Sequence, residues 1–230
     1  MRLDRFISKH THHSHGTSRY LVASGRVRVN GVVVRDLRTE VDHFVAIRLD
    51  DTLLQHQVAH YLMLHKPVGY LSATTDPVHP TVLELAPPQL RPLLHIGGRL
   101  DRSTSGLLIL TNDGLWSRRL TEPKLRVPKV YHVRTAHPIS PETHQRFAEG
   151  IYLAYENLTT SPAQLEQLAD CEARLTIYEG RYHQVKRMFT AVGNRIVALH
   201  RERMGAIALD TALPVGAYRV LNVTEIESVA

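Results

Sequence analysis

The chain has 230 residues and a mass of 26.0 kDa, which allows one large domain or a large domain with a small one. Its hydrophobic content of 43% is typical of a globular protein, and no apolar run approaches the length of a membrane span. The net charge of +6 predicts an acidic partner, and the single cysteine, Cys171, excludes an internal disulfide and disfavours a cysteine-rich zinc site.

Residues 1–56 are predicted to form a small basic unit of two helices followed by short strands. The first helix is expected from Leu3 to about His10 and the second from Thr17 to Ser24, with Thr17 or Ser18 as its N-cap. From 26 to 34, apolar and basic residues alternate around an Asn-Gly pair, a pattern typical of a β-hairpin. The unit carries 9 Lys or Arg against 6 Asp or Glu, which predicts a basic face.

The segment 52–60 is the predicted hinge, because the alternating pattern relaxes there before a strand begins at Tyr61. We therefore expect a small unit at 1–56, a linker at 57–60 and a larger unit at 61–230. The first residues lack the apolar core of a signal peptide, so the protein is expected to remain in the cytoplasm.

The larger unit mixes strand-like and helical segments without the strict alternation of a βαβ fold. Strands are predicted at 61–65, 107–110, 130–134 and 196–199, with a further extended segment at 207–209. Helices are predicted at 141–150 and 182–192, and the second repeats apolar residues at helical spacing, which assigns these to the core: Val185, Met188, Phe189 and Val192. The mixture predicts an α+β domain on a mainly antiparallel mixed sheet.

One block, from Gly98 to Gly114, combines an isolated acid at Asp101 with turn residues and a strand. Asp101 follows a glycine pair and precedes small polar residues, and the apolar run at 107–110 leads to an Asn-Asp-Gly turn. This pattern places a carboxylate on a tight loop against a rigid strand, where a reacting group is held accurately. The alternative is a turn aspartate that bonds only its own backbone.

Two further blocks carry side chains suited to binding or catalysis. Lys129-Val130-Tyr131 places an aromatic ring among basic residues on an alternating strand, although an isolated strand tyrosine usually belongs to the core. From Arg181 to Arg203 there are 6 basic residues and 1 acid, a density that suits a phosphate track; the alternative is a solvated charged face. The chain lacks the phosphate-loop, zinc-protease and serine-hydrolase motifs.

Together these blocks resemble the RsuA-like pseudouridine synthases of the small-subunit ribosomal RNA type. The resemblance rests on the Gly-Arg-Leu-Asp loop around Asp101, the Lys-x-Tyr element and a Gly-Arg-x-His-Gln-Val-Lys element, with further matches at 66–70, 76–82 and 200–205. Near the start, Arg-Leu-Asp-Arg-Phe-Ile and then Ser-Gly-Arg-Val-Arg-Val-Asn-Gly resemble the S4 RNA-binding module, with a longer turn between the helices than is usual. The resemblance covers nearly the whole chain and implies the pseudouridine synthase fold.

The same resemblance implies isomerisation of a uridine to pseudouridine in 16S, small-subunit ribosomal RNA. Asp101 is implied as the catalytic residue, Tyr131 as the ring that packs on the target base, and Lys186 as the cation that pairs with Asp101. The reaction breaks a C–N bond and rejoins the base through carbon, so it consumes no nucleotide and moves no net electrons. We therefore expect neither a cofactor nor a metal ion.

Contacts with RNA are expected from both units. In the first unit the expected residues are Arg2, Arg5, Arg19, Arg26 and Arg28. In the second unit they are Lys66, Arg99, Arg102, Lys129, Arg181, His183, Gln184, Arg187, Arg201 and Arg203. Four histidines between 10 and 15 are expected to form a solvated or RNA-facing cluster in a flexible turn rather than a metal site. The expected partner is ribosomal RNA or the assembling small subunit, bound by a monomer without a membrane.

Three other functions stay open. A paralogous synthase would act on 23S, large-subunit RNA, although the chain length and the absence of a basic C-terminal tail favour the small subunit. A non-catalytic RNA-binding or ribosome-assembly protein would use the S4-like unit alone, but the acid at Asp101 disfavours this. A hydrolytic glycosidase would need a second carboxylate, and no second acid lies in a matched block.

Overall fold

Two compact units, Met1–Ala59 and His60–Ala230, make up the chain in a computed structural model that describes residues 1–154 and 156–229. The boundary falls within the predicted linker at 57–60. None of the helices in these two described ranges is long and apolar enough to cross a bilayer.

The first unit packs two helices on a small antiparallel sheet. The helices are α1 (Leu3–His10) and α2 (His15–Ala23), and the strands are β1 (Val27–Val29), β2 (Val32–Val33), β3 (Ile47–Leu49) and β4 (Thr52–Gln55). The sheet has the order β2-β1-β3-β4. Leu3 and Ile7 from α1, Val22 from α2 and Ile47 from β3 are completely buried, so the apolar stripes of both helices close one core over the sheet.

Three local predictions in this unit were wrong. The second helix begins at His15, and its N-cap is Ser14, whose Oγ accepts a hydrogen bond from the Thr17 backbone nitrogen at 3.2 Å. Residues 52–55, predicted as part of a hinge, form β4 because they pair with β3. The histidine segment is not one turn, since His10 ends α1 with its ring stacked on Phe6 and His15 begins α2.

The second unit is an α+β domain built on one large mixed sheet. Its strands in that sheet are β5 (Tyr61–Lys66), β6 (His95–Gly97), β7 (Ser105–Thr111), β8 (Lys129–Thr135), β11 (Gln164–Ala169), β12 (Glu172–Ile177), β13 (Ile196–Met204), β14 (Ile207–Ala208) and β15 (Tyr218–Val220), and a separate small hairpin pairs β9 (Tyr152–Leu153) with β10 (Leu158–Thr159). The helices are α3 (Gly114–Thr121), α4 (Glu142–Glu149), α5 (Gln184–Ala191) and α6 (Val223–Glu227).

The central strands are buried on both faces, which explains their continuous apolar runs. In β5, Leu62 and Leu64 belong to one hydrophobic cluster while Met63 belongs to another. In β7, Leu108 and Ile109 divide in the same way. Because successive side chains of a strand point to opposite faces, the sheet separates two cores and gives any loop at its end a rigid base.

The sheet order is β11-β12-β8-β13-β7-β5-β15, with β14 beside β13 and β6 beside β7. Within the described parts of this sheet, every pairing is antiparallel except that of β7 with β13, where His200 lies opposite Ser105 and Arg201 opposite Gly106. The chain leaves β6 at Gly97 and enters β7 at this parallel junction. Residues 98–104, the connection between them, carry the acid singled out above.

A helix that the sequence did not predict follows β7. Asp113, expected in a turn, is the N-cap of α3, and its Oδ1 accepts a hydrogen bond from the Trp116 backbone nitrogen at 3.0 Å. Trp116 is buried in the second core of the sheet.

Candidate active site

The loop 98–104 is fastened at both ends by buried cations. The guanidinium of Arg201, from β13, donates a hydrogen bond through Nη2 to the Gly98 carbonyl at 2.8 Å. The ammonium of Lys66, at the end of β5, donates to the Thr104 carbonyl at 2.8 Å. Both cations are buried, so their charges are directed at carbonyl dipoles and fix the loop that carries Asp101.

The middle of the loop is held by a neighbouring segment. The hydroxyl of Ser72 accepts a hydrogen bond from the Leu100 backbone nitrogen at 3.0 Å and donates one to the Leu100 carbonyl at 2.7 Å. The Gly69 backbone nitrogen donates to the Arg102 carbonyl at 2.8 Å. Carbonyls at 98, 100, 102 and 104 are thus all bonded, and the backbone on either side of Asp101 is fixed.

The carboxylate of Asp101 contacts two side chains of the 179–189 block. Lys186 donates a hydrogen bond from Nζ to Oδ2 at 2.8 Å, and His183 places Nε2 3.4 Å from Oδ1. The same ammonium donates to the hydroxyl of Ser103 at 2.8 Å. The predicted contact between Asp101 and Lys186 is confirmed, and the other carboxylate oxygen, Oδ1, has only the longer contact to His183 among the described residues.

The position of Lys186 follows from how α5 begins and packs. His183 has a left-handed backbone with φ of 48°, so the helix starts at Gln184 rather than at the predicted Tyr182. Val185 and Phe189 are buried, as predicted, and anchor the helix in the core. Lys186, between them in sequence, lies in the first turn and reaches Asp101.

Asp101 borders a cleft of about 470 Å³, a size typical of small-molecule sites. Its apolar lining includes Ile96, Tyr131, Ile177, Leu199 and Met204. Tyr131, from β8, is 8% exposed, so the ring forms part of the wall. A flat, uncharged ring placed in this cleft would meet apolar side chains, several basic side chains and the Asp101 carboxylate.

A second, shallower depression of about 360 Å³ lies beside the first. Both are lined by Asp101, His183 and Lys186, and the second is also bordered by Val68 and Arg102. The Asp101–Lys186 pair therefore lies at the boundary between the cleft and an open surface, where a long substrate has room to continue.

Comparison with known proteins agrees with this geometry. Residues 60–191, which include the loop, Tyr131 and α5, match a family described as RNA pseudouridylate synthase. The chain belongs to the RNA pseudouridylate synthase family.

Relatives of known name are similar over the full length. The chain is 55% identical to the ribosomal small subunit pseudouridine synthase A of Pseudomonas aeruginosa over 230 residues, which cover 100% of both chains. It is 45% identical to the protein of the same name from Escherichia coli (strain K12), again over 100% of both chains. A solved structure, described as a crystal structure of pseudouridylate synthase, is 40% identical with a TM-score of 0.74 and 100% coverage of both chains. The predicted fold is thus confirmed.

In this synthase, four of the residues expected to contact RNA are buried in the core of the second unit. Lys66 and Arg201 are buried and hold the loop, so neither presents its charge on the surface. Lys129 lines the cleft but is only 6% exposed, and burial lowers the pKa of its ammonium. Gln184 is buried and uses its amide to bond Glu179. Because these four side chains are buried, the expectation that they contact RNA at the surface is not retained.

The other expected RNA contacts lie at the surface. In the second unit the exposed ones are Arg99, Arg102, Arg181 and Arg203. Arg187 is half-buried and paired with Glu156 at 3.0 Å. In the first unit the exposed ones are Arg5, Arg19, Arg26 and Arg28. Arg26 is paired with Asp50, and Arg2 is paired with Asp4 at 2.6 Å.

Two contributors to the site were not singled out from the sequence. Glu179 is buried, and its carboxylate accepts hydrogen bonds from Gln184 and from the Arg181 side chain, which shapes the turn before α5. Glu179 directly precedes the Gly-Arg of a matched block, so the expectation that no second acid lies in such a block was wrong, and this acid was the available signal. Ser72 gave none, because its partner Leu100 is 28 residues away.

Proposed function

We propose that this protein isomerises a uridine to pseudouridine in small-subunit ribosomal RNA, with Asp101 as the catalytic residue. The observation that carries the proposal is a carboxylate on a fixed loop, held by Lys186 at the edge of a cleft whose wall includes Tyr131. Membership of the RNA pseudouridylate synthase family supports the reaction. The names of the full-length relatives support the small subunit as the source of the substrate.

The reaction exchanges one bond between ribose and uracil for another. The glycosidic C–N bond at N1 breaks, the uracil turns, and C5 bonds the same ribose carbon. C5 then loses its proton and N1 ends with one, so atoms and electrons balance within the substrate. The site therefore has to hold a detached base and supply one group that attacks or deprotonates.

The residues of the cleft divide these tasks. Asp101 is the reacting group, and Lys186 orients its carboxylate through the hydrogen bond to Oδ2. Oδ1, with the longer contact to His183, is the atom placed for reaction. Tyr131 packs on the uracil ring, because a partly buried aromatic wall holds a flat base without fixing its rotation.

Binding depends on cations outside the cleft. Extruding a uridine costs on the order of a few kcal/mol, which phosphate contacts and stacking must offset. We assign those contacts in the second unit to Arg99, Arg102, Arg181 and Arg203, which are exposed. The first unit, with its S4-like pattern, serves as a separate RNA-binding module. The proposal includes action in the cytoplasm by a monomer.

Mapping of pseudouridines in ribosomal RNA from cells that lack the protein tests this function. One small-subunit site should lose its modification, and the gene for the parent chain should restore it. Asp101→Asn should fail to restore it while folding normally. Asp42→Asn is the matched control, because Asp42 accepts hydrogen bonds from its own following backbone nitrogens and an asparagine oxygen accepts the same bonds.

Three results would contradict the proposal. Loss of a pseudouridine from large-subunit RNA would assign the protein to the paralogous synthases that act on that RNA. If no pseudouridine were lost, the proposed enzymatic function would be excluded. Asp101→Asn activity within about tenfold of the parent, a difference of roughly 1.4 kcal/mol, would remove the assignment of Asp101.

A further inference from the structure

An aromatic ring stands exposed beside the catalytic pair. Tyr182 lines the cleft, yet 68% of the residue is exposed, which is unlike the buried Tyr131. Its ring lies flat on the ring of His183, with the centroids 3.9 Å apart and the planes 17° from parallel. One face of Tyr182 is therefore covered by His183, and the exposure of the residue leaves the opposite face to solvent.

Hydrogen bonds and an ion pair hold the backbone of Tyr182 and His183. The Arg187 guanidinium donates a hydrogen bond to the Tyr182 carbonyl at 3.1 Å and is itself paired with Glu156 at 3.0 Å. His183 has the left-handed backbone that precedes α5, and its Nε2 lies 3.4 Å from Asp101. The backbone that carries Tyr182 is thus held in place, and its ring stacks on His183, which in turn contacts Asp101.

A nucleobase next to the extruded uridine would lie close to this ring. When a uridine is extruded into the cleft, its neighbour in the chain loses a stacking partner and stays within one backbone link of the cleft mouth. An aromatic ring with a free face replaces lost stacking without reading the base. Tyr182 has such a face at the edge of the same cleft.

We propose that the exposed face of Tyr182 stacks on the nucleobase adjacent to the target uridine. This inference rests on the proposed function, because it needs a uridine in the cleft. Tyr182 contributes to substrate binding, with no part in bond exchange, and it favours RNA in which the neighbouring position carries a base.

The test combines protein and RNA changes in short substrate RNAs. Tyr182→Ala and Tyr182→Phe are compared on RNA with intact neighbours, and on RNA with an abasic residue at the 5′ or the 3′ neighbour. On intact RNA, Tyr182→Ala should raise KM about tenfold with kcat nearly unchanged, and Tyr182→Phe should retain the parent KM. On one of the two abasic RNAs the parent and Tyr182→Ala should have the same KM.

Tyr218→Ala is the matched control, because Tyr218 is 40% exposed on β15 and does not line the cleft. Its KM should equal that of the parent on every RNA. A Tyr182→Ala defect of the same size on intact RNA and both abasic RNAs would overturn the inference, as would no defect. A loss confined to kcat would also overturn it, by showing that Tyr182 only orients His183. A parent chain inactive on intact RNA would show instead that the proposed function fails, and the inference with it.

Discussion

Gly106 lies against the backbone of Arg201 at the parallel junction of β7 and β13. A Cβ on Gly106 would lie 2.6 Å from the Arg201 backbone nitrogen, and the φ of Gly106 is +109°, a value that side-chain-bearing residues rarely adopt. The close approach brings Arg201 next to β7, where its Nε donates to the Leu107 carbonyl at 2.9 Å. The position of the loop 98–104, which Arg201 holds, therefore depends on the absence of a side chain at Gly106.

Gly106→Ala should destabilise the protein by roughly 2–4 kcal/mol, since the backbone conformation and the backbone contact both oppose a methyl group. The free energy of unfolding in urea measures this. Gly114→Ala is the control: Gly114 begins α3 with nothing near its missing side chain, so that change should be neutral or slightly stabilising. Equal stability of the two variants would contradict the packing described for Gly106.

Arg201→Met should reduce both stability and activity. It removes the side-chain hydrogen bonds to the carbonyls of Gly98 and Leu107, at about 1–3 kcal/mol for each carbonyl that is left unsatisfied. It also loosens the loop, so kcat should fall at least about tenfold under conditions where the variant is folded. Arg195→Met, at an exposed position just before β13, should change neither quantity. Full activity of a folded Arg201→Met protein would show that the loop keeps its position without the clamp.

Lys186→Met should lower kcat by roughly 100-fold, because it removes the charge that orients Asp101. Lys186→Arg should retain more activity, since it keeps the charge and changes the geometry. A methionine variant with the parent kcat, or an arginine variant no better than methionine, would argue against this role.

The sequence predicted elements whose pattern is local, and it missed those decided by distant contacts. α1 was predicted with its observed bounds because its apolar stripe and its length are both in the segment. α3 was missed because Asp113-Gly114 suits a turn as well as a helix start. The helix is stabilised by burial of Trp116, whose Nε1 donates a hydrogen bond to the Ile226 carbonyl 110 residues away.

The candidate site shows the same division. Strand β13 continues through a charged run to Met204, although a strand was predicted only to Leu199. The run remains a strand because Arg201 is buried and satisfied by carbonyls that no local pattern reveals. Asp101 and Lys186 are 85 residues apart, and their pairing could be predicted only through resemblance to a family.

Affinity for RNA should depend on the arginines of the first unit. Replacing Arg5, Arg19 and Arg28 together with Ala should reduce the slope of log affinity against log salt by about 2, because fewer phosphates are neutralised. The matched control replaces Arg35, Arg38 and Arg48 together with Ala. These residues are exposed in the same unit, and their replacement lowers the net charge by the same amount. An equal effect of the two triple variants would mean that general charge, and not the assigned residues, drives binding.

Lys66 should make stability depend on pH in alkaline solution. Burial lowers the pKa of its ammonium from 10.5 to about 8. Between these two values the unfolded chain holds a proton that the folded chain has released, so the contribution of Lys66 to the free energy of unfolding rises with pH. Below pH 8 the free-energy cost of burying the charged ammonium does not change with pH.

Lys66→Met cannot titrate, so it serves as the reference. The free energy of unfolding of the parent minus that of the variant should be flat from pH 6 to about 8 and then rise by at most about 1.4 kcal/mol per pH unit. Urea denaturation of both proteins across this range measures the difference, and a difference that stays flat or falls above pH 8 would contradict burial of the ammonium beneath the loop.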